Sequence, residues 1–331
     1  MRILIYDVAA DSGGAATVLK SFYEELCQDT ENEYVFVLSV LKLPEKAHIQ
    51  VLNYPWIKKS PLHRLYFDQF KAHRLVKEYR IDRVLSLQNI ALPHAGVPQM
   101  VYEHNALPFA EYRFKPWEAF RPWFTQQVLG RMMKRSIRQA EKVFVQTKWM
   151  KQEIVRQCRI PEEKVEVKFP PVELPKAQDC HPDRKNPVFF YPANASAYKN
   201  HRTFLRACEL LTGQGFRNYK VIWTVTGEEN EGIRAIRKKA EEKNLPILFC
   251  GPMPKEELFK LYASSVLVFP SYIETIGLPL LEARAARTWI LAADCLYARD
   301  GVGDYERAEF FEPFDAIQLC DCMKQWMMSS D

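Results

Sequence analysis

The segment Val268-Phe-Pro-Ser-Tyr-Ile-Glu274-Thr275-Ile276-Gly277-Leu278-Pro279-Leu-Leu-Glu282-Ala-Arg-Ala-Ala286 places two carboxylates around the start of a helix. An apolar run ends at Phe269, a short loop follows, and Pro279 falls in the first helical turn, where its missing N–H costs nothing. Gly277 admits a ligand close to the backbone, and the unbonded N–H groups of a helix start suit an anion. Glu274 lies in the loop and Glu282 about one turn inside the helix. Without a metal, carboxylates are poor phosphate ligands, but they are good acceptors for sugar or ribose hydroxyls. The same residues also fit a capped surface helix with two solvated acids.

Three further segments carry candidate chemistry. In Tyr191-Pro-Ala-Asn-Ala-Ser-Ala-Tyr-Lys199-Asn-His-Arg, Lys199 stands just before a helix, where an ammonium can neutralise a departing anion or simply be solvated. Glu103-His104-Asn105 follows the apolar run Gln99–Tyr102; a single His there is more often structural than catalytic. Asp11-Ser-Gly13-Gly14-Ala-Ala-Thr17 joins the first apolar run to the first helix and lacks the three-glycine dinucleotide fingerprint, so a nicotinamide cofactor is excluded. No His, Cys and Asp cluster has metal spacing, and no metal or cofactor is expected. Of the eight cysteines, only Cys320 and Cys322 are close, which fits reduced, buried thiols.

These segments need a frame. The 331 residues, 47% hydrophobic and 26% charged, suit two globular domains. Buried-strand runs are expected at Arg2–Tyr6, Tyr34–Val40, Arg83–Leu87, Gln99–Tyr102, Val143–Gln146 and Val165–Lys168. A second series is expected at Val188–Tyr191, Val221–Thr226, Ile247–Cys250, Val266–Phe269 and Trp289–Ala292. Helical stretches such as Thr17–Cys27 separate them, and this alternation implies doubly wound parallel α/β sheets. The proline-rich stretch 173–187 reads as a linker between a first domain, 1–172, and a second, 188–331. Ligands of such sheets sit beyond the carboxyl ends of the strands, so two sheets facing across a cleft are expected to bind there.

The charge is uneven. Residues 51–150 hold 17 Lys and Arg against 7 Asp and Glu, although the whole chain is only +5. Arg131, Lys134, Arg135, Arg138 and Lys142 follow helical spacing, beside an apolar stripe of Leu129, Met133, Ile137 and Ala140. Upstream, Phe114, Trp117, Phe120, Trp123 and Phe124 are interleaved with Arg113, Lys115 and Arg121. Basic residues mixed with aromatics suit an anionic membrane surface, and equally a solvated basic helix over its own core. No nucleic-acid-binding motif accompanies the charge. No apolar run is long enough to span a bilayer, and Asp7 interrupts the opening residues where a signal peptide would stay apolar. The expected location is cytoplasmic, with peripheral contact to the inner face of the membrane.

The run Pro270-Ser-Tyr-Ile-Glu274-Thr-Ile-Gly277-Leu-Pro279-Leu-Leu-Glu282-Ala resembles the signature of the retaining glycosyltransferases of family four, the glycosyl transferases group 1. The preceding Phe249-Cys-Gly251-Pro-Met253 to Pro270, and Val143–Met150 with Val165–Val172, are similar to the same family. The resemblance implies a GT-B fold of two facing Rossmann-like domains and a nucleotide-diphospho-sugar donor, UDP- or GDP-linked. It implies that Glu274 bonds a donor-sugar hydroxyl, and that the backbone of Thr275, Ile276, Gly277 and Leu278 holds sugar and diphosphate. Glu282 would accept from the ribose, Gly251 to Met253 would line the base pocket, and Lys199 would meet the diphosphate. Gly13 and Gly14 would lie near donor phosphate and acceptor, with His104 beside the anomeric carbon and Asn105 next to it. Arg131, Lys134, Arg135 and Arg138 would form the acceptor or membrane face. The family's usual Arg shortly before the lysine is missing: Ala193, Asn194, Ala195 and Ser196 stand there, so either Lys199 works with the helix N-terminus alone or an Arg comes from elsewhere, Arg202 being a weak candidate. The implied activity is retaining transfer to a glycan or lipid-linked acceptor in bacterial surface polysaccharide or lipopolysaccharide assembly. The alternatives are a GT-B nucleotide-sugar epimerase and a partner subunit that has lost catalysis.

Overall fold

The structure, a computed structural model, describes residues 1–11, 13–177 and 180–329. Ser12 of the glycine loop, Gln178 and Asp179 of the expected linker, and the two last residues lie outside the described residues. Two compact units divide after Val172.

The first unit is built on seven parallel strands: β1 (Arg2–Asp7), β2 (Glu33–Leu38), β3 (Ile49–Asn53), β4 (Arg83–Ser86), β5 (Gln99–Glu103), β6 (Lys142–Val145) and β7 (Val165–Val167), in the order β3-β2-β1-β4-β5-β6-β7. Its helices are α1 (Gly13–Leu26), α2 (Pro61–Tyr66), α3 (Ala72–Glu78), α4 (Phe120–Phe124), α5 (Gly130–Gln139) and α6 (Lys148–Cys158). Successive side chains of a strand point to opposite faces, and β1 shows the consequence. Ile3 and Ile5 pack with Val18, Leu19 and Phe22 of α1, whereas Leu4 and Tyr6 pack with Phe67, Leu75 and Val76. Both faces are covered, which is why the strand reads as an unbroken apolar run.

The second unit has six parallel strands: β8 (Val188–Tyr191), β9 (Lys220–Trp223), β10 (Ile247–Phe249), β11 (Val266–Phe269), β12 (Trp289–Ala293) and β13 (Ala308–Phe311), ordered β10-β9-β8-β11-β12-β13. Around them lie α7 (His201–Gly213), α8 (Glu231–Glu242), α9 (Lys255–Ser264), α10 (Leu278–Ala285), α11 (Leu296–Val302) and α12 (Ala316–Met328). All four residues of β11 are fully buried. In each sheet the strand order reverses once, between β1 and β4 and between β8 and β11, and such a switch point opens a crevice at the carboxyl ends.

Two strands escape the apolar-run criterion. β3 pairs only with β2 and alternates Ile49 buried with Gln50 exposed, and β13 borders only β12. Edge strands need not be apolar on both faces, so their pattern is diluted. The first helix starts at Gly13 rather than Thr17, because Gly13 to Ala16 form its opening turn.

Candidate functional site

Lys199 and Glu274 flank the switch point of the second sheet. Lys199 follows β8 in a single 3-10 turn, Ala197–Lys199, and Glu274 follows β11. The Lys199 ammonium donates to Glu274 Oε1, with both side chains largely buried. Ser271 Oγ donates to the same carboxylate oxygen at 2.7 Å and also reaches the carbonyl of Tyr198. The Lys199 carbonyl accepts from the Tyr191 hydroxyl at 2.7 Å, and the Tyr297 hydroxyl donates to the Ser271 carbonyl. Both loops are therefore tied to buried tyrosines of the core. Asn200, left-handed at φ 58°, bonds through its amide to the carbonyls of Pro270 and Pro313, closing the β8 loop against the β11 loop. Residues of this kind are positioned before any ligand arrives.

Next to Lys199, His201 is packed between Tyr191 and Trp223, with ring centroids 5.0 Å from each. Burial, and then the Lys199 charge, push its pKa down to about 3. The imidazole is neutral at ordinary pH, so Lys199 is the cation at this point.

Gly277 caps α10 with φ 71° and ψ 53°, and no described side chain caps the helix. A β-carbon there would sit 3.2 Å from Leu280 and from Tyr297, in a conformation that L side chains avoid. Of the residues around this turn, Ile276 is buried and Leu278 exposed, and Thr275 connects them to Glu274. Glu282, inside α10, accepts from the Tyr262 hydroxyl at 2.7 Å. Burial raises the Glu282 pKa, and the tyrosine bond opposes that shift. Tyr262 is itself fully buried, so it fixes the carboxylate from below. Gly251, after β10, has φ 74°, and a β-carbon would lie 3.1 Å from the Thr226 methyl. Its N–H donates to the Val225 carbonyl, and Met253 follows, half-buried, just before α9.

The first unit gathers a different set. Asn89, left-handed at φ 66°, accepts from the His104 backbone N–H at 2.7 Å. The His104 ring nitrogen Nε2 lies 3.1 Å from the Leu87 carbonyl and 3.3 Å from Asn89 Nδ2. Burial lowers the His104 pKa, while the Leu87 carbonyl opposes this. Glu103, fully buried, accepts from the Asn105 N–H with one oxygen, and burial drives its pKa well up. Its other oxygen has no partner among the described residues. Asp7, at the end of β1, is similar: Oδ1 accepts from Ala10 N–H, Oδ2 has no partner among the described residues, and burial raises its pKa to about 6. Gly14 lies in the first turn of α1 with open space where its β-carbon would be. Gly13 begins that helix. Within each unit, the structure brings Lys199 to Glu274 and Asn89 to His104.

Sequence reasoning missed Asp7, Glu103, Ser271 and Tyr262; partnerships among distant residues carry no local signal. The basic stripe needs correction. Lys134 Nζ donates to Gln157 at 2.8 Å and lies over the Phe109 ring, and burial lowers its pKa. Arg138 donates to the Cys158 carbonyl. Of the four expected outward cations, Lys134 is thus half-buried against α6, while Arg138 reaches α6 along its edge and stays exposed. Arg131 and Arg135 are exposed. Among the described residues no group of three His, Cys, Asp or Glu is gathered as metal ligands.

Two family models divide the chain: "Glycosyltransferase Family 4" matches residues 12–175 and "Glycosyl transferases group 1" matches 176–331. A D-inositol 3-phosphate glycosyltransferase of Corynebacterium diphtheriae is 35% identical over 80 residues, which is 24% of this chain and 19% of that relative. The chain therefore matches about a fifth of that relative's length. The apo structure of the lipopolysaccharide outer core galactosyltransferase WaaB is similar with a TM-score of 0.68 and 16% identity, covering 99% of this chain and 90% of that one. HepE of Anabaena in complex with UDP-glucose gives 0.67 and 16%, covering 99% and 90%. At these identities the likeness is one of fold, the GT-B class.

Proposed function

The chain belongs to the group 1, family 4 glycosyltransferases, and we propose that it moves a sugar, with retention, from a UDP- or GDP-linked donor to a glycan or lipid-linked acceptor in bacterial surface polysaccharide or lipopolysaccharide assembly. The observation that carries this reading is the buried Lys199–Glu274 pair at the switch point of the second sheet, in the same loop that leads into the uncapped start of α10. Such a site offers a cation and helix N–H groups to a diphosphate, and carboxylates to sugar and ribose hydroxyls. The UDP-glucose bound by HepE supports the donor, and the lipopolysaccharide outer core activity of WaaB supports the pathway.

In the reaction, the bond between the anomeric carbon and the diphosphate oxygen breaks, and the electron pair leaves with the diphosphate. Oxocarbenium character grows on the sugar and negative charge on the leaving group. Lys199 and the start of α10 stabilise that charge through groups already in place. Glu274 orients a sugar hydroxyl, and Glu282, held by Tyr262, accepts from the ribose. The acceptor hydroxyl bonds to the face that the diphosphate leaves, and its proton passes to a departing phosphate oxygen. No protein nucleophile is required. His104, neutral because it is buried, serves the sugar as a hydrogen-bonding group without adding charge.

A thermal-shift screen of UDP-, GDP-, CMP- and dTDP-sugars identifies the donor, and proton NMR of the glycoside formed with acceptor reports its anomeric configuration. Acceptor-dependent release of nucleoside diphosphate with retained configuration is expected. An inverted product would overturn the retaining mechanism, and a rearranged donor without acceptor would make the protein an epimerase.

A further inference from the structure

The first unit has an outer face that its own core does not use. Phe120 to Gln139 form one helical run, α4 and α5 joined by a π-helical turn, Thr125–Leu129. Its inward side carries Gln126, Met133, Ser136 and Ile137, all buried, and the Gln126 amide bonds to the Leu107 and Tyr112 carbonyls. Phe120, Phe124, Val128 and Met132, spaced four apart, are exposed instead, and Trp117 just before them is 80% exposed. The run is therefore apolar on two sides, although one suffices for packing.

A second run repeats the pattern. After α2 comes another π-helical turn, Phe67–Lys71, and Phe67 is buried while Leu62, Leu65, Tyr66 and Phe70 are exposed, Leu62 by 76%. The two runs approach each other at the ends that hold His73 and Met132. The His73 ring of α3 lies 6.2 Å from that of His94, and His94 shares with Met132 and Arg135 the lining of a cavity of about 780 Å³. That cavity lies where the chain passes from β4 to β5 without a crossover helix.

The charges on this face are mostly positive. Lys59, Lys71, Lys115, Arg121, Arg131 and Arg135 are exposed around the apolar residues. Among the acids there, Asp68 is paired with Arg64, and Glu118 accepts from the Tyr112 hydroxyl. Apolar side chains in helical register with Lys and Arg alongside are the features of a helix lying in the headgroup plane of an anionic bilayer. We propose that this face, formed by the 61–71 and 117–135 segments, docks on an anionic membrane by inserting Leu62, Phe70, Trp117, Phe120 and Phe124 between lipids. The cations serve attraction, and the apolar residues supply the hold. This docking rests on the surface alone and stands whether or not the donor reading is correct.

Co-sedimentation of the full chain with vesicles tests it, using phosphatidylcholine alone and phosphatidylcholine with phosphatidylglycerol at low and high salt. Binding is expected only with phosphatidylglycerol, weakening as salt rises. Phe120→Ser with Phe124→Ser is expected to lower the partition coefficient by at least about tenfold, and Leu62→Ser with Phe70→Ser to lower it likewise. Both pairs should melt like the wild type, because the replaced side chains are exposed. No binding by the wild type would overturn the proposal, as would unchanged binding by both folded double variants. Concentration-dependent dimers that these substitutions abolish, without vesicle binding, would overturn it in favour of a second copy of the chain.

Discussion

The two switch points are furnished in opposite ways. At the second sheet, Lys199 and Glu274 meet as a charged pair, joined by Ser271 and braced by the core through Tyr191 and Tyr297. At the first, Asp7 is a buried carboxyl whose pKa is raised to about 6, and one strand further on Glu103 is likewise pushed well above the usual carboxylate range. Each has one oxygen with no partner among the described residues. At the second switch point the central carboxylate is held in an ion pair, whereas at the first Asp7 is buried without one, and the ion pairs Lys58–Asp11 and Arg64–Asp68 stand around it. A leaving diphosphate needs a fixed cation, whereas a sugar hydroxyl is served by carboxyl and neutral groups alike.

The largest effect that can break this comparison is on turnover. Lys199→Ala is expected to reduce kcat by about 100- to 1,000-fold, with Lys199→Arg recovering part of it; steady-state release of nucleoside diphosphate reads both. A near-normal rate would remove Lys199 from the leaving-group site.

Next is the buried carboxyl of the first unit. The folded protein holds the Asp7 proton up to about pH 6, against 3.8 in an unfolded chain, so stability falls as pH rises between these values. Asp7→Asn is expected to stabilise the protein above pH 6 by about 2–3 kcal/mol, with the gain vanishing below about pH 4. Chemical denaturation at about pH 4 and about pH 7.5 measures it, and an equal gain at both pH values would contradict the buried-charge account.

Gly277→Ala places a methyl group against Leu280 and Tyr297 in a left-handed turn. A loss of about 1–3 kcal/mol of stability is expected, together with weaker donor binding, by thermal melts with and without nucleotide sugar. The smallest effect is at Tyr262. Its Phe variant frees Glu282 from its brace and should weaken donor affinity by about two- to tenfold, measured by calorimetry.

The strands and the double-carboxylate segment are legible in the sequence because they are local. β11 announces itself as four consecutive apolar residues, and Pro279 marks the first turn of α10. What is not legible depends on tertiary contact. Lys199 and Glu274 are 75 residues apart, and nothing near either residue signals that they pair. Tyr262 reads as a core aromatic until its hydroxyl is seen on Glu282. On α5, helical spacing alone groups Lys134 and Arg138 with Arg131 and Arg135. Only the positions of Gln157 and the Cys158 carbonyl show that Lys134 turns inward and that Arg138, still exposed, is held to α6. β3 and β13 lie at sheet edges, and exposed Gln50 and Glu309 break their apolar runs.

Calorimetric titration of nucleoside mono- and diphosphates into the wild type and Lys199→Ala tests the central claim most directly. The wild type should bind the diphosphate more tightly than the monophosphate. In Lys199→Ala that preference should shrink towards one, while monophosphate affinity stays close to that of the wild type. An unchanged preference, or an equal loss for both ligands, would contradict the assignment of Lys199 to the leaving diphosphate.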